Sequence, residues 1–321
     1  MKAIICKSFD QPLEFGKLSR PEIAADEVLI EVHYVGVNFP DTLIVKGKYQ
    51  FTPELPFSPG QEVSGEVVEI GDLVTHVKVG DRVLASMTWG GMAELAKANA
   101  QNVYLLPDNI TMRDAACILE TYATAFHALK DRGNLKSGER LLVLGASGGT
   151  GTAAVQLGKL FGSEVIAVAS AKEKRDYASS NGADTVLGYE NLKENLKNIG
   201  GVDVIFDPVG GEVSQQVFRA INTGGRHLIV GFASGKMPVI PMNLPLLKSA
   251  SVVGVFWGSF WRNEPFENRK NVALLLNWFA AGKLKVGINQ MYSLEEGAKA
   301  IEDLANRKAV GKIVLKTKNA D

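Results

Sequence analysis

Leu141-Leu142-Val143-Leu144-Gly145-Ala146-Ser147-Gly148-Gly149-Thr150-Gly151, leading on to Gln156, is the stretch that decides how this chain folds. Four apolar residues in succession suit a parallel strand buried on both faces. The glycines after them open a helical pattern that runs through Gln156 to Phe161. A dinucleotide site requires glycine here for a physical reason. The turn is tight, side chains would block the pyrophosphate, and N–H groups at the helix start must face phosphate oxygens. Gly148 and Gly151 have the spacing of the later glycines of G-x-G-x-x-G, with Ala146 where the first would stand. A glycine cluster alone is weak, but this one follows a strand, opens a helix and begins a βαβ unit.

Outward from that turn the rhythm persists. Strand patterns at 164–169, 202–206, 226–230 and 251–256 alternate with helical ones such as 171–181, which stops at Gly182. Strands alternating with helices indicate a doubly wound parallel sheet. Toward the amino terminus the pattern changes to short β-rich runs at 27–37, 62–70 and 82–87, broken at Pro53, Pro56, Pro59-Gly60, Gly71-Asp72 and Gly80-Asp81. The alternation in Val28-Leu29-Ile30-Glu31-Val32 is that of a sheet with one face partly wet, and this half reads as an antiparallel, barrel-like domain. Thr111-Met112-Arg113-Asp114 has capping spacing and marks a helix start. The tail from Gly287, ending Gly311-Lys312-Ile313-Val314-Leu315, returns to short pieces expected to rejoin the first domain. The reading is an α/β chain: residues 1–121 completed by 288–321 as the barrel-like domain, and 122–287 as the Rossmann domain.

Length and composition agree with two packed cores: 321 residues, 46% hydrophobic and 22% charged, which excludes intrinsic disorder. Lys plus Arg number 35 and Asp plus Glu number 35, so nothing draws the chain to nucleic acid, and no specific nucleic-acid partner is expected. No apolar run approaches the roughly 20 residues of a membrane span. The start, Met1-Lys2-Ala3-Ile4-Ile5-Cys6, enters a strand pattern at once, so no leader is expected and the location is read as cytoplasmic. Cys6 and Cys117 are too few for a disulfide framework.

The second strand of the βαβ unit decides the nucleotide. An NAD site carries an acidic residue there to accept from the ribose 2′-hydroxyl. Here Ala169-Ser170-Ala171-Lys172-Glu173-Lys174-Arg175 ends the strand in a hydroxyl followed by cations. A carboxylate would repel a 2′-phosphate, whereas a hydroxyl and an ammonium bind it, so NADPH is the expected cofactor.

The glycine turn, Val37-Asn38-Phe39-Pro40-Asp41, Pro59-Gly60-Gln61-Glu62, Val79-Gly80-Asp81-Arg82-Val83 and Gly311-Lys312 together resemble the medium-chain dehydrogenase/reductase superfamily. The chain is similar to its zinc-free NADPH:quinone oxidoreductase branch, and Asn243-Leu244-Pro245-Leu246-Leu247-Lys248 with Gly254-Val255-Phe256-Trp257-Gly258 resembles the quinone oxidoreductase-like proteins. The resemblance implies a GroES-like catalytic domain beside a Rossmann domain. The zinc alcohol dehydrogenases of the superfamily have a ligand histidine after Pro-Gly, where this chain has Gln61, and residues 85–105 contain no cysteine. His33, His76, His127 and His227 lack ligand spacing, so no metal is expected and each histidine reads as structural. Without a Lewis acid, the substrate must arrive already electrophilic, as a quinone or enone does.

The resemblance also implies site residues. Asn38 and Tyr49 would be catalytic, with the Tyr49 phenol able to stabilise negative charge on a carbonyl oxygen. Asn38, Thr124 and backbone near Phe256 would meet the nicotinamide in a cleft between the domains. Ser147, Gly148, Gly149, Thr150 and Gly151 would cradle the pyrophosphate, while Ser170, Lys174 and Tyr189 would surround the 2′-phosphate and adenosine. Val209, Gly231, Phe232, Phe256, Trp257 and Lys312 complete the cofactor set. The aromatic run 256–261 also suits a core or a subunit interface. Leu43 departs from the second pocket tyrosine of some bacterial quinone reductases, and Glu120 adds a carboxylate of unassigned direction. The expected activity is NADPH-dependent reduction of a small-molecule quinone by a homodimer paired around 251–255. An enoyl-thioester reductase and a non-catalytic NADPH-binding protein are the alternatives.

Overall fold

The computed structural model describes residues 1–320. Contacts divide it into two units, Met1–Glu120 with the segment from Val272 on, and Thr121–Asn271. The second division falls inside the helix Pro265–Ala280, earlier than the 287 boundary expected from the periodicity.

The first unit is organised by the long strand Glu27–Val37, which pairs antiparallel with Glu62–Ile70, Leu95–Asn99 and Lys312–Lys316. Arg82–Ser86 and Val103–Leu105 extend the sheet on one side, and Ile288–Ser293 closes it in parallel with Lys312–Lys316 on the other. A register irregularity between Val32 and Tyr34 explains which residues the strand buries. Val28, Ile30 and Val32 enter the core, then Val35 and Val37, so the phase passes from even to odd numbers. An extra residue at a bulge has this effect, since side chains otherwise alternate strictly. The carboxyl-terminal segment is therefore a structural member of this unit.

In the second unit six parallel strands lie in the order Thr185–Leu187, Glu164–Val168, Arg140–Leu144, Val202–Asp207, Ile221–Ile229, Ser251–Gly254. Leu141–Leu144 and Val165–Val168 have no exposed surface, which accounts for their unbroken apolar composition. Chain order reverses at Arg140–Leu144, whose neighbours are the second strand on one side and the fourth on the other. That reversal creates a crevice at the carboxyl ends of the strands, where doubly wound sheets bind ligands. The helix Gly149–Leu160 starts beside it. Two helices not evident in the pattern, Leu192–Asn198 and Glu212–Phe218, are short, seven residues each. Thr111 does cap a helix, accepting the Asp114 N–H at 3.1 Å. That helix ends at Ala115, and π-helical turns follow at Leu119–Ala123 and His127–Arg132.

Candidate functional site

Within the first unit, polar groups converge where the Glu27–Val37 strand gives way to the helix Phe39–Ile44. The Asn38 backbone N–H donates to Asp41 Oδ2 at 2.8 Å, and Gly60 N–H donates to Asp41 Oδ1 at 3.0 Å. One buried carboxylate thus joins the Asn38 and Pro59-Gly60 loops. Gly60 has φ +102°, which favours glycine. The Asn38 amide donates to Gly36 O at 3.2 Å and to Glu62 Oε1 at 2.9 Å, and its Oδ1 accepts from Lys312 Nζ at 2.7 Å. Lys312 also donates to Glu62 Oε1 at 2.7 Å and to Val37 O at 3.2 Å. Glu62 Oε2 accepts the Glu120 N–H at 3.0 Å, and the Glu120 side chain accepts from Ser86 Oγ at 3.1 Å. A Cβ on Gly36 would overlap the Ala116 carbonyl oxygen and the Glu62 carboxylate, so only glycine fits between that backbone and the ion pair.

Glu62 pairs with the Lys312 ammonium, and the Asp41 and Glu120 carboxyls lie near enough to feel both charges. Burial, with the Glu62 charge adding to it, pushes Glu120 up to about 8. Burial pushes Asp41 up to about 7, although the Asn38 and Gly60 N–H bonds pull the other way. Burial works against the charged form of Lys312, yet the Glu62 carboxylate beside it holds the ammonium above the ordinary lysine range. Glu120 is thus directed into this cluster at Ser86.

This geometry places two of the expected site residues in one buried network. Lys312, assigned to the cofactor, is 5% exposed and directs its three donors to Glu62, Asn38 and Val37. Asn38 has both amide hydrogens engaged, to Gly36 O and Glu62 Oε1, and its Oδ1 accepts from Lys312. Tyr49 is partly buried against the same core, edge-on to Phe51 with ring centroids 6.1 Å apart. Gln61, at the position of a ligand histidine, is buried and donates to Thr88 O at 3.2 Å. Among the described residues, no group of three or more His, Cys, Asp or Glu is arranged to hold a metal ion.

The second unit carries the nucleotide features. A helix leaves its first-turn N–H groups without intrahelical acceptors, and here these belong to the residues at Gly149, Thr150 and Gly151. A Cβ on Gly151 would overlap Gly145 O, so this glycine is needed for packing. A Cβ on Gly148 would meet only Gly145 O, at an ordinary 3.5 Å, so the space over Gly148 is open ground for a phosphate. Ser147 is buried beside the turn, and Gly145 N–H donates to the Tyr189 hydroxyl at 3.3 Å. These features fit a pyrophosphate.

At the end of the second strand Ser170 is exposed, and Arg175 Nη1 donates to its carbonyl oxygen at 2.6 Å. Lys174 is partly exposed on the same helical turn. Arg175 is a functional candidate that the composition of the run signalled only as one cation among three. Val209 packs against the first turn, its Cγ2 3.1 Å from where a Gly145 Cβ would stand. Phe232 and Phe256 are 37% and 41% exposed, free to meet a ligand, and Thr124 and Gly231 are partly exposed. Trp257 is 4% exposed, and its indole N–H donates to Asn268 Oδ1 at 2.8 Å.

Comparison with known proteins agrees with both halves. The family model described as "Alcohol dehydrogenase GroES-like domain" matches residues 24–108, and that described as "Zinc-binding dehydrogenase" matches 149–275. A quinone oxidoreductase-like protein 2 homolog from Nematostella vectensis is 39% identical over 326 residues, covering 99% of this chain and 89% of that protein. Among solved structures, the quinone oxidoreductase of Thermus thermophilus, solved alone and in complex with NADPH, is 30% identical with a TM-score of 0.89 over 98% of this chain and 100% of that one. The Escherichia coli quinone oxidoreductase complexed with NADPH is 27% identical with a TM-score of 0.92, covering 98% and 100%.

Proposed function

The chain belongs to the quinone oxidoreductase family of the medium-chain dehydrogenase/reductase superfamily, and on that premise we propose that it is an NADPH-dependent quinone reductase. The observation that carries the reading is the pair of anion sites flanking the strand-order reversal. One is the open helix start at Gly148 to Gly151, and the other is Ser170 with Arg175 held at its carbonyl. Ser170 offers a hydroxyl at the position where an NAD site carries a carboxylate, and a guanidinium beside it favours a 2′-phosphate.

NADPH, when bound, would supply a hydride, and a quinone taking that hydride and a proton from solvent would become a hydroquinone. The residues supply placement and polarisation. Ser147 and the first-turn N–H groups hold the pyrophosphate. Ser170, Lys174 and Arg175 hold the 2′-phosphate, with Tyr189 at the adenosine. Asn38 and Tyr49 are the catalytic residues of this reading, the Tyr49 phenol being suited to stabilise charge developing on the quinone oxygen. Gln61 in place of a ligand histidine favours an acceptor that needs no Lewis acid.

The expected assay result is NADPH oxidation with 9,10-phenanthrenequinone, with NADH much poorer. Comparable rates for both nucleotides would overturn the cofactor assignment, and faster turnover of enoyl thioesters than of any quinone would change the substrate class. Lys174→Ala and Arg175→Ala should each raise KM for NADPH about ten-fold, the worth of one charge-assisted hydrogen bond, and leave NADH unaffected. We place the enzyme in the cytoplasm, where buried free thiols such as Cys6 and Cys117 stay reduced, and assign it as a homodimer paired along Ser251–Gly254.

A further inference from the structure

Asp207 ends the strand next to the sheet's reversal point, and its side chain is fully buried. Oδ1 accepts the N–H groups of Val209 and Gly210, both at 2.9 Å. Oδ2 accepts from the Ser214 hydroxyl and, at 2.9 Å, from His227 Nε2. The Asp207 carbonyl accepts the N–H groups of Val230 at 2.9 Å and Gly231 at 3.3 Å. One residue therefore holds the turns that leave two adjacent strands. The turns are knit further by Ala233 N–H to Pro208 O at 3.0 Å and Ser234 N–H to Val209 O at 2.8 Å. Gly210, at φ +71°, has Phe232 so close that a Cβ would lie 2.8 Å from its ring.

His227 lies on the neighbouring strand in register with Ile205, fully buried and stacked on Phe218 at 5.7 Å. An ionised carboxylate only accepts, so His227 Nε2 carries the hydrogen. Its Nδ1 has no partner among the described residues. A polar atom buried without a partner is destabilising, and an aliphatic side chain would fill the same space without that penalty. The bond to Asp207 is what the histidine provides there. Burial opposes the charged carboxyl, yet the hydrogen bonds from His227, Gly210 and Ser214 hold Asp207 below the usual carboxylate range.

We propose that His227, acting through Asp207, is a positioning residue for the nicotinamide half of the bound dinucleotide. With Ser214 it fixes one carboxylate oxygen, so that the other stays aimed at the Val209 and Gly210 N–H groups. The 208–211 and 230–232 turns then present Val209, Gly231 and Phe232 as one preformed wall. These turns follow the fourth and fifth strands, on the opposite side of the reversal from Ser170, so the effect belongs to the nicotinamide end. The inference rests on the NADPH reading above.

The test compares wild type, His227→Leu and His227→Gln by fluorescence titration with NADPH and with 2′,5′-ADP, which has the adenosine and 2′-phosphate but no nicotinamide. His227→Leu should weaken NADPH about ten-fold and leave 2′,5′-ADP within about two-fold. His227→Gln, whose amide can still donate to Asp207, should restore NADPH affinity to within about three-fold of wild type. In the free protein, amide exchange of 208–214 should quicken in His227→Leu and not in His227→Gln. Unchanged NADPH affinity in His227→Leu overturns the inference, as does equal weakening of both ligands, the mark of a merely structural residue. If His227→Leu does not fold, Ser214→Ala removes the other anchor with almost no change in volume and should give the same selective loss. Wild-type protein that fails to bind NADPH overturns the functional reading itself, an outcome distinct from variants that bind as wild type does.

Discussion

A lysine ammonium enclosed in a β-domain is tolerable only while its partners stay in place. Lys312 and Glu62 are 5% and 1% exposed in their side chains and 2.7 Å apart. Removing one partner of such a pair leaves an uncompensated buried charge, which typically costs about 3–5 kcal/mol. Lys312→Met should therefore lower unfolding free energy by about that amount in urea titration. A loss below about 1 kcal/mol would mean that water already reaches Glu62. Glu120 gives a prediction of pH dependence. Its folded pKa, raised to about 8, lies above the ordinary glutamate value, so the folded state binds the proton more tightly than the unfolded one. The associated stability is complete below the ordinary glutamate pKa, falls as pH rises, and is gone above about 8. Glu120→Gln is neutral throughout and keeps an oxygen for Ser86. Its stability should decline less than that of wild type between pH 5 and pH 8.5, and parallel melting-temperature profiles would show that Glu120 ionises freely. None of this cluster was legible as a cluster. Glu62 and Lys312 are 250 positions apart and meet only because the last strand pairs with Glu27–Val37.

At the scale of elements, the strand, glycine turn and helix beginning at Arg140 were legible because their chemistry is local. An apolar run, a φ of +61° at Gly145 and a helix start lie within a dozen residues. The two later glycines nonetheless differ in role, which spacing could not reveal. Gly151→Ala should strike the fold, because its Cβ would overlap Gly145 backbone that cannot yield, and overpacking of this kind costs about 1–3 kcal/mol or more. Gly148→Ala should leave the melting temperature within about 2 °C and weaken NADPH about ten-fold, since the methyl enters open space where a phosphate would lie. Equal effects of the two substitutions on melting would remove the distinction. The Glu27–Val37 strand shows the opposite limit. Its alternation was visible as far as Val32, but the bulge before Tyr34, which restores the core face at Val35 and Val37, depends on pairing with Glu62–Ile70. The Asp207–His227 bond likewise spans 20 positions and exists only through the pairing of their two strands, so each residue read alone as ordinary.

At the scale of the whole molecule the remaining question is what covers the end of the six-stranded sheet. Ser251–Gly254 is its last strand, with one hydrogen-bonding edge unpaired among the described strands and Val252 47% exposed. The preceding segment exposes Met237, Met242, Leu246 and Leu247 at 75–79%. An open edge accompanied by exposed apolar side chains invites another chain, and a copy of the same strand is the simplest match, because a two-fold axis lets each edge satisfy the other. Light scattering should therefore give twice the 34.6 kDa chain mass. Val252→Lys, which puts an ammonium where the partner's equivalent side chain would lie, should shift the protein to monomer, since like charges brought together across a two-fold axis repel. The turns proposed for the pyrophosphate and the 2′-phosphate lie at the carboxyl ends of other strands and not along this edge, so the monomeric variant should bind NADPH within about two-fold of wild type. A dimer that persists in Val252→Lys would move the interface elsewhere, and loss of NADPH binding with monomer formation would show that the crevice needs a partner to be complete.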